Sequence, residues 1–259
     1  MSNSTAGPPA TAGPVNPPYL GSAPPAFAFA TPRATRQPRP AVWQGILASA
    51  AVVLVVISHF WEVSRLSHQS ALFQDVEAGR RVTLAEANAS DHGLNSSVVL
   101  QLAMTVIALV FVIVWAYQAR ANAEAYTTSP FRRSKGWAIG AWICPVVNLW
   151  FPFQVVKDIW GASDSDRPDS AWVKAWPVSA IVPLWWTCLL GAALLQRTSD
   201  TVYNNGDSAD AVHTSLVLDF ASAAAHIAAA ILFILIVAAV TRFQTERYER
   251  SIDDAPVAA

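Results

Sequence analysis

Charge is what this chain has least of. Asp, Glu, Lys and Arg make up 14% of its 259 residues, while 53% are hydrophobic. A soluble domain carries about 25% charged residues, so the shortfall points to a surface turned largely to lipid. The net charge of −1 leaves no global basic field, and nucleic acid is not an expected partner. Cysteine is nearly absent. Cys144 and Cys188 both lie in apolar segments, which spells no disulfide framework and reads as two small buried hydrophobes. No zinc-type spacing, Gly-rich phosphate loop or G-x-S-x-G elbow occurs. No metal, cofactor or catalytic residue is assigned, and the chain does not read as an enzyme. Lysine is rare as well, 3 residues against 14 arginines, a bias that reads as the codon usage of a GC-rich bacterial genome.

Proline is plentiful but badly distributed. Residues 1–40 hold ten of the seventeen prolines, among Ala, Gly, Ser and Thr. Such a segment buries too little apolar surface to offset its ordering entropy. It is expected to be a disordered arm, with residues 251–259 as a second disordered tail. No apolar h-region marks the arm as a signal peptide. Pro17-Pro18 and Pro24-Pro25 could be docked by a proline-reading domain, although a plain solvated tail is the simpler reading.

Between the tails, residues 41–250 read as a membrane domain. Apolar runs at 42–61, 97–117, 176–195 and about 214–240 are each long enough for a hydrocarbon core of about 30 Å. A backbone in lipid must satisfy its own hydrogen bonds, so each run is expected to be a transmembrane helix. Pro183 should kink the third. The segment above the first run keeps a rough helical period to a stop at Gly79, and Thr83 with Glu86 spells a capping box opening a short helix.

A fifth apolar stretch, GWAIGAWICPVVNLWFPFQVVKDIW at 136–160, decides the topology. Four crossings with an inner N-terminus place thirteen Lys and Arg inside and four outside; a fifth crossing gives eight inside and nine outside. Cytoplasmic loops carry the positive excess. The stretch is therefore expected to enter from the cytoplasmic side and return, with both termini cytoplasmic in a bacterial plasma membrane. Pro145 and Pro152 break its helix. After Pro145, Leu149, Phe153, Val156 and Trp160 form an apolar stripe opposite Gln154, Lys157 and Asp158, the pattern of a helix lying in the interface. Before it, Gly136 and Gly140 would allow close packing of a re-entrant limb.

The fold class expected is thus all-α, an integral membrane protein with four transmembrane helices and a Pro-broken, Trp-rich re-entrant or interfacial element. The run WAYQARANAEA, followed by SPFRRSKGWAIGAWICPVVNLWFPFQVVKDIW, resembles the core of a bacterial membrane family of unknown function, DUF4328 (domain of unknown function 4328). The close match covers roughly residues 115–162. The resemblance implies an integral membrane protein of about four helices, common in actinobacteria, and carries over no activity and no catalytic residue.

Ionisable groups inside a span default to a functional hypothesis. On the fourth run, Ser215, Asp219, Ser222 and His226 fall on one helical face. Counting inward from the outer boundary brings His59, Gln101 and Asp219 within about one turn in depth and sets His226 about 10 Å deeper. These four residues form a candidate intramembrane polar cluster: a proton or ion relay, a small polar pocket, or simple interhelical hydrogen bonding. Near the cytoplasmic interface, Arg132, Arg133, Lys135, Trp150, Lys157 and Trp160 are candidate lipid-headgroup or interface contacts. The leading function read from the residues is a non-enzymatic scaffold or regulatory protein, with the bilayer as partner and protein contacts through residues 1–40 and 136–160. A small transporter or proton-coupled carrier around Asp219 is second. An intramembrane or lipid-modifying enzyme is third.

Overall fold

The computed structural model describes residues 38–127, 130–164, 180–206 and 208–253, all within one compact unit. Most of the expected arm, Trp172, Trp176, the start of the third apolar run and the last residues of the tail lie outside them. Among the described residues every element is helical: α1 Val42–Glu77, α2 Leu84–Ala125, α3 Trp137–Ile143, a single 3-10 turn Val147–Leu149, α4 Phe151–Ser163, α5 Ile181–Asn205 and α6 Ala209–Asp253.

The long helices outrun the apolar segments that seeded them. α1 does not end with its apolar run at Trp61 but continues to Glu77. There Gly79 takes φ 83°, and the Arg80 and Gly79 amides donate to the Asp75 and Val76 carbonyls at 2.8 and 3.0 Å. That is a Schellman stop, which needs a residue tolerant of positive φ. The Thr83–Glu86 capping box is present, with Glu86 N donating to Thr83 Oγ1 at 3.2 Å and Thr83 N to Glu86 Oε2 at 2.8 Å. It opens the whole 42-residue α2 rather than a short separate helix.

Among the described residues three helices, α1, α2 and α6, are long and apolar enough to cross a membrane, not the four expected. The exception is α5. Its apolar part, from Ile181 to Leu195, covers roughly 22 Å at 1.5 Å per residue, and Gln-Arg-Thr-Ser-Asp follows directly. The rest of the expected third span lies outside the described residues.

Side-chain pairs set the packing order. Ser58 Oγ donates to Gln101 Oε1 and Gln69 Nε2 to Asp91 Oδ1, so α1 and α2 are antiparallel. Ser199 Oγ donates to the Ser215 carbonyl and Ser222 Oγ to the Ala192 carbonyl, so α5 and α6 are antiparallel. α1 joins the two pairs by running against α6, while α2 and α5 barely touch. A Cβ on Gly45 would stand 2.8 Å from Val237 Cγ1, which is how closely α1 approaches α6. The core beside this contact is aromatic: buried Trp115 meets Phe233 edge-on at 5.4 Å, and Phe233 meets Trp185 at 5.8 Å.

α3 and α4 form a helical hairpin. Its two outer ends lie at the end of the bundle opposite Gly79. Lys135, just before α3, sits over Tyr117 of α2. Trp142, near the far end of α3, faces Trp185 at 6.5 Å. Pro145 falls in the break, Trp186 Nε1 ties the turn by donating to the Leu149 carbonyl at 3.0 Å, and Pro152 sits in the first turn of α4 where its missing N–H costs nothing. α4 then returns to Ser163, which accepts from Gln244 Nε2 near the end of α6 at 2.9 Å. The hairpin thus leaves and returns at one end.

Two local expectations fail here. α4 is not a helix with one clean polar face: Phe151, Val155, Val156 and Ile159 are buried against α2, α5 and α6, but so is Asp158, while Leu149 is exposed. The packed arc is wider than a stripe because three helices surround it. Gly136 and Gly140 make no close helix contact, since α3 seats Ala138 and Ala141 against its neighbours.

Candidate functional site

Between α1, α2, α5 and α6, toward the Gly79 end, lies a partly open cavity of about 710 Å³. His59, Gln101, Asp219 and His226 all line it. The helix periods explain why. Ser215, Asp219 and Ser222 form the buried inner face of α6, and His226 continues it. Gln101 is placed by Ser58, one residue before His59 on α1.

The depth order differs from the sequence estimate. The His59 and His226 rings are 5.0 Å apart between centroids, so His226 is level with His59 rather than far below it. Asp219 instead lies about 10 Å from His226 along α6, toward the Gly79 end. The error came from counting inward from the ends of the apolar runs, which are not the ends of the helices. His59 Nδ1 stands 3.3 Å from Glu62 Oε2, and His226 Nδ1 stands 3.0 Å from the Ser222 carbonyl. The Ser222 hydroxyl lies 3.3 Å from the same nitrogen, so both oxygens of Ser222 hold the ring. Two buried atoms of the cluster, His59 Nε2 and Asp219 Oδ1, have no hydrogen-bond partner, in residues only 3% and 5% exposed.

Residues that the sequence reading passed over complete the cavity: Glu62 on α1, and Gln196, Arg197 and Asp200 on α5. Ending the spans at Trp61 and Leu195 had consigned all four to loops. The available signal was the pairing of Gln196 with Asp200 at i, i+4, where Nε2 donates to Oδ1 at 3.2 Å. A second, apolar cavity of about 340 Å³ adjoins the first, lined by Val52, Ala108, Val112, Trp142, Trp185 and Phe233 among others. Thr105 and His226 line both. Asn148 of the hairpin turn also reaches the apolar cavity, so the Trp-rich element forms part of its wall.

A second polar cluster, at the hairpin end, is structural. Gln244, fully buried, donates to the Ala119 carbonyl and to Ser163 Oγ, each at 2.9 Å, and accepts from Asn122 Nδ2 at 2.9 Å. Asn122 also donates to the Arg39 carbonyl at 2.8 Å. Asp158, 2% exposed, stands 3.7 Å from Arg132. Burial pushes its carboxyl up to about 6, with Arg132 and then Arg120 opposing.

The expected headgroup contacts separate accordingly. Arg132 turns in to Asp158, and Arg133 stacks over Phe151 at 3.8 Å. Lys135 lies over Tyr117 at 4.8 Å and Lys157 near Phe153 at 6.0 Å. Trp150 is exposed, whereas Trp160 packs edge-on against Phe243 at 5.5 Å and is 8% exposed, a core residue rather than a surface anchor.

The family model described as "Domain of unknown function (DUF4328)" matches residues 78–242, more than half of the chain and a wider span than the run that first carried the resemblance. No curated protein and no solved structure matches.

Proposed function

The chain belongs to the DUF4328 family, and on that footing we propose that it is a plasma-membrane carrier of a small solute, with its binding site in the polar cavity around Asp219. α1, α2 and α6 cross the bilayer. The return passage falls to α5, whose short apolar part is sheltered along α6. The hairpin end is cytoplasmic, as are both termini. Supporting this orientation, Arg39, Arg120, Arg132, Arg133, Lys135, Lys157, Arg242, Arg247 and Arg250 belong to that end, against Arg65, Arg80, Arg81 and Arg197 toward the other. Outward-facing Ile46, Ile57, Val99 and Ile231, each more than half exposed, suit contact with lipid.

One observation carries the carrier reading: buried His59 Nε2 and Asp219 Oδ1 line a large cavity without partners. Ionisable side chains are rare inside membrane spans, and where they converge on a cavity they mark a solute or ion path by default. The test is proton flux into liposomes holding purified protein and a pH-sensitive dye. Wild type is expected to dissipate an imposed gradient and Asp219→Asn is not; no flux in either form ends the proton-coupled reading.

A scaffold is the second reading, with cytoplasmic partners held through residues 1–40 and 136–160. Deleting residues 1–37 and comparing co-purifying proteins tests it. It ranks second because α3 and α4 spend their buried faces on α2, α5 and α6.

A further inference from the structure

Resting on the carrier reading, we propose that the joined cavities take a lipophilic organic cation, its charged head beside Asp219 and its apolar body reaching past His226 to Trp142, Trp185 and Phe233. Three features of the molecule converge on that chemistry. The first is charge. The polar cavity is lined by the carboxylates of Glu62, Asp200 and Asp219 and by one cationic side chain, Arg197. Asp219 Oδ1 is buried there without a partner. A positive head meets this field favourably, and an anionic head does not.

The second feature is shape. The two cavities share Thr105 and His226, so one molecule can occupy both. Asp219 and Ala229, which lines the apolar cavity, are ten residues apart on α6, or about 15 Å. That distance calls for an elongated ligand. The apolar cavity is lined by Trp142, Trp185, Trp186 and Phe233, surfaces that favour an aliphatic or aromatic body.

The third feature is access. α2 packs on α1 and α5 on α6, but α2 and α5 barely touch. Both cavities have walls from these two helices, so the chamber lies along the seam between them. In a bilayer that seam faces lipid, the phase in which an amphiphile is dissolved.

The experiment is equilibrium binding of radiolabelled dodecyltrimethylammonium, below its micellar concentration, to the full chain in lipid nanodiscs with empty nanodiscs as blank. Dodecanoate and dodecanol are run beside it. The expected result is saturable binding of the cation alone, weakened about tenfold or more in Asp219→Asn and largely retained in Asp219→Glu. Both variants must elute as wild type from size exclusion. Phe233→Ala should weaken the same cation while leaving binding of the short tetramethylammonium head unchanged. Saturable binding of dodecanoate or dodecanol with equal affinity would overturn the cation assignment and leave the carrier reading standing. Cation binding indifferent to Asp219→Asn would overturn it too. Binding of none of the three would overturn the cation assignment, while the carrier reading stands or falls with the liposome flux.

Discussion

The rings of His59 and His226 stand 5.0 Å apart across the α1–α6 contact, where the polar and apolar cavities meet. His59 is held by Glu62 and His226 by the Ser222 carbonyl, each through Nδ1. Each helix thus fixes the orientation of its own imidazole. A bundle optimised only for stability would close this junction with apolar side chains. Two histidines and the Asp219 carboxyl facing one cavity are the features that separate a chamber from a packing defect.

Asp219→Asn should raise thermal stability while removing flux. The Oδ1 atom is buried without a partner, and a neutral amide of the same shape is cheaper to bury than a carboxylate. The expected gain is about 1 kcal/mol, read as a higher unfolding midpoint in detergent. A clear loss of stability would mean that the carboxylate is a structural partner after all.

Gln244→Ala should be among the most damaging single changes at the hairpin end. It removes the acceptor of Asn122 and the donor to the Ala119 carbonyl and Ser163, all in a fully buried site. The expected loss is about 2–4 kcal/mol from stranded polar groups and the cavity left behind. Thermal unfolding in detergent measures it, and Gln244→Glu should be nearly as harmful because it removes the two donated bonds.

Asp158 should make stability depend on pH. Its folded carboxyl is raised to about 6 by burial, while an unfolded Asp titrates near 3.9. Between those values the folded chain holds a proton that the unfolded chain has released, so stability falls as pH rises through that window. Two units correspond to roughly 3 kcal/mol at most. The wild-type stability minus that of Asp158→Asn should therefore decline from pH 4 to pH 7 and then flatten. A difference independent of pH would show that Arg132 neutralises the carboxylate fully.

How much of this was legible differs by element. Apolar length revealed α1, α2 and α6, because nothing in a polar loop imitates twenty apolar residues. Their ends were not legible: the polar turns beyond Trp61 and before Ser97 are helical because the partner helix beside them is. The helical face of Ser215, Asp219 and Ser222 was readable from its period. Glu62 and Asp200 were not, since each lies just beyond the apolar run that marked its helix, where a charged residue reads as loop. Asp158 was assigned to a polar face because a one-sided pattern was assumed, whereas α4 has neighbours on several sides. Asn122 was visible only as part of a resembling run, and its role depends on Gln244, 122 residues away.

Glycines of equal appearance should behave oppositely. Gly45→Ala places a methyl 2.8 Å from the Val237 Cγ1 atom and forces α1 away from α6. Overpacking of this kind costs about 1–3 kcal/mol, partly offset by the better helix propensity of alanine. Gly136→Ala meets nothing within 4 Å and should be close to neutral. Equal midpoints for the two variants in a detergent melt would contradict the packing of α1 on α6.

The return passage can be tested with two cysteines. In a Cys144→Ala, Cys188→Ala background, Ser134→Cys precedes the hairpin and Ser208→Cys lies in the link between α5 and α6, both at exposed positions. The chain between them comprises α3, α4 and α5. If the hairpin returns and α5 crosses, an impermeant maleimide added to intact cells should label position 208 and spare position 134 until the membrane is permeabilised. Labelling of both from outside, or of neither, would place the two residues on one side of the bilayer. The hairpin would then cross together with α5, and the polar cavity would have to be reassigned from the outer half of the membrane.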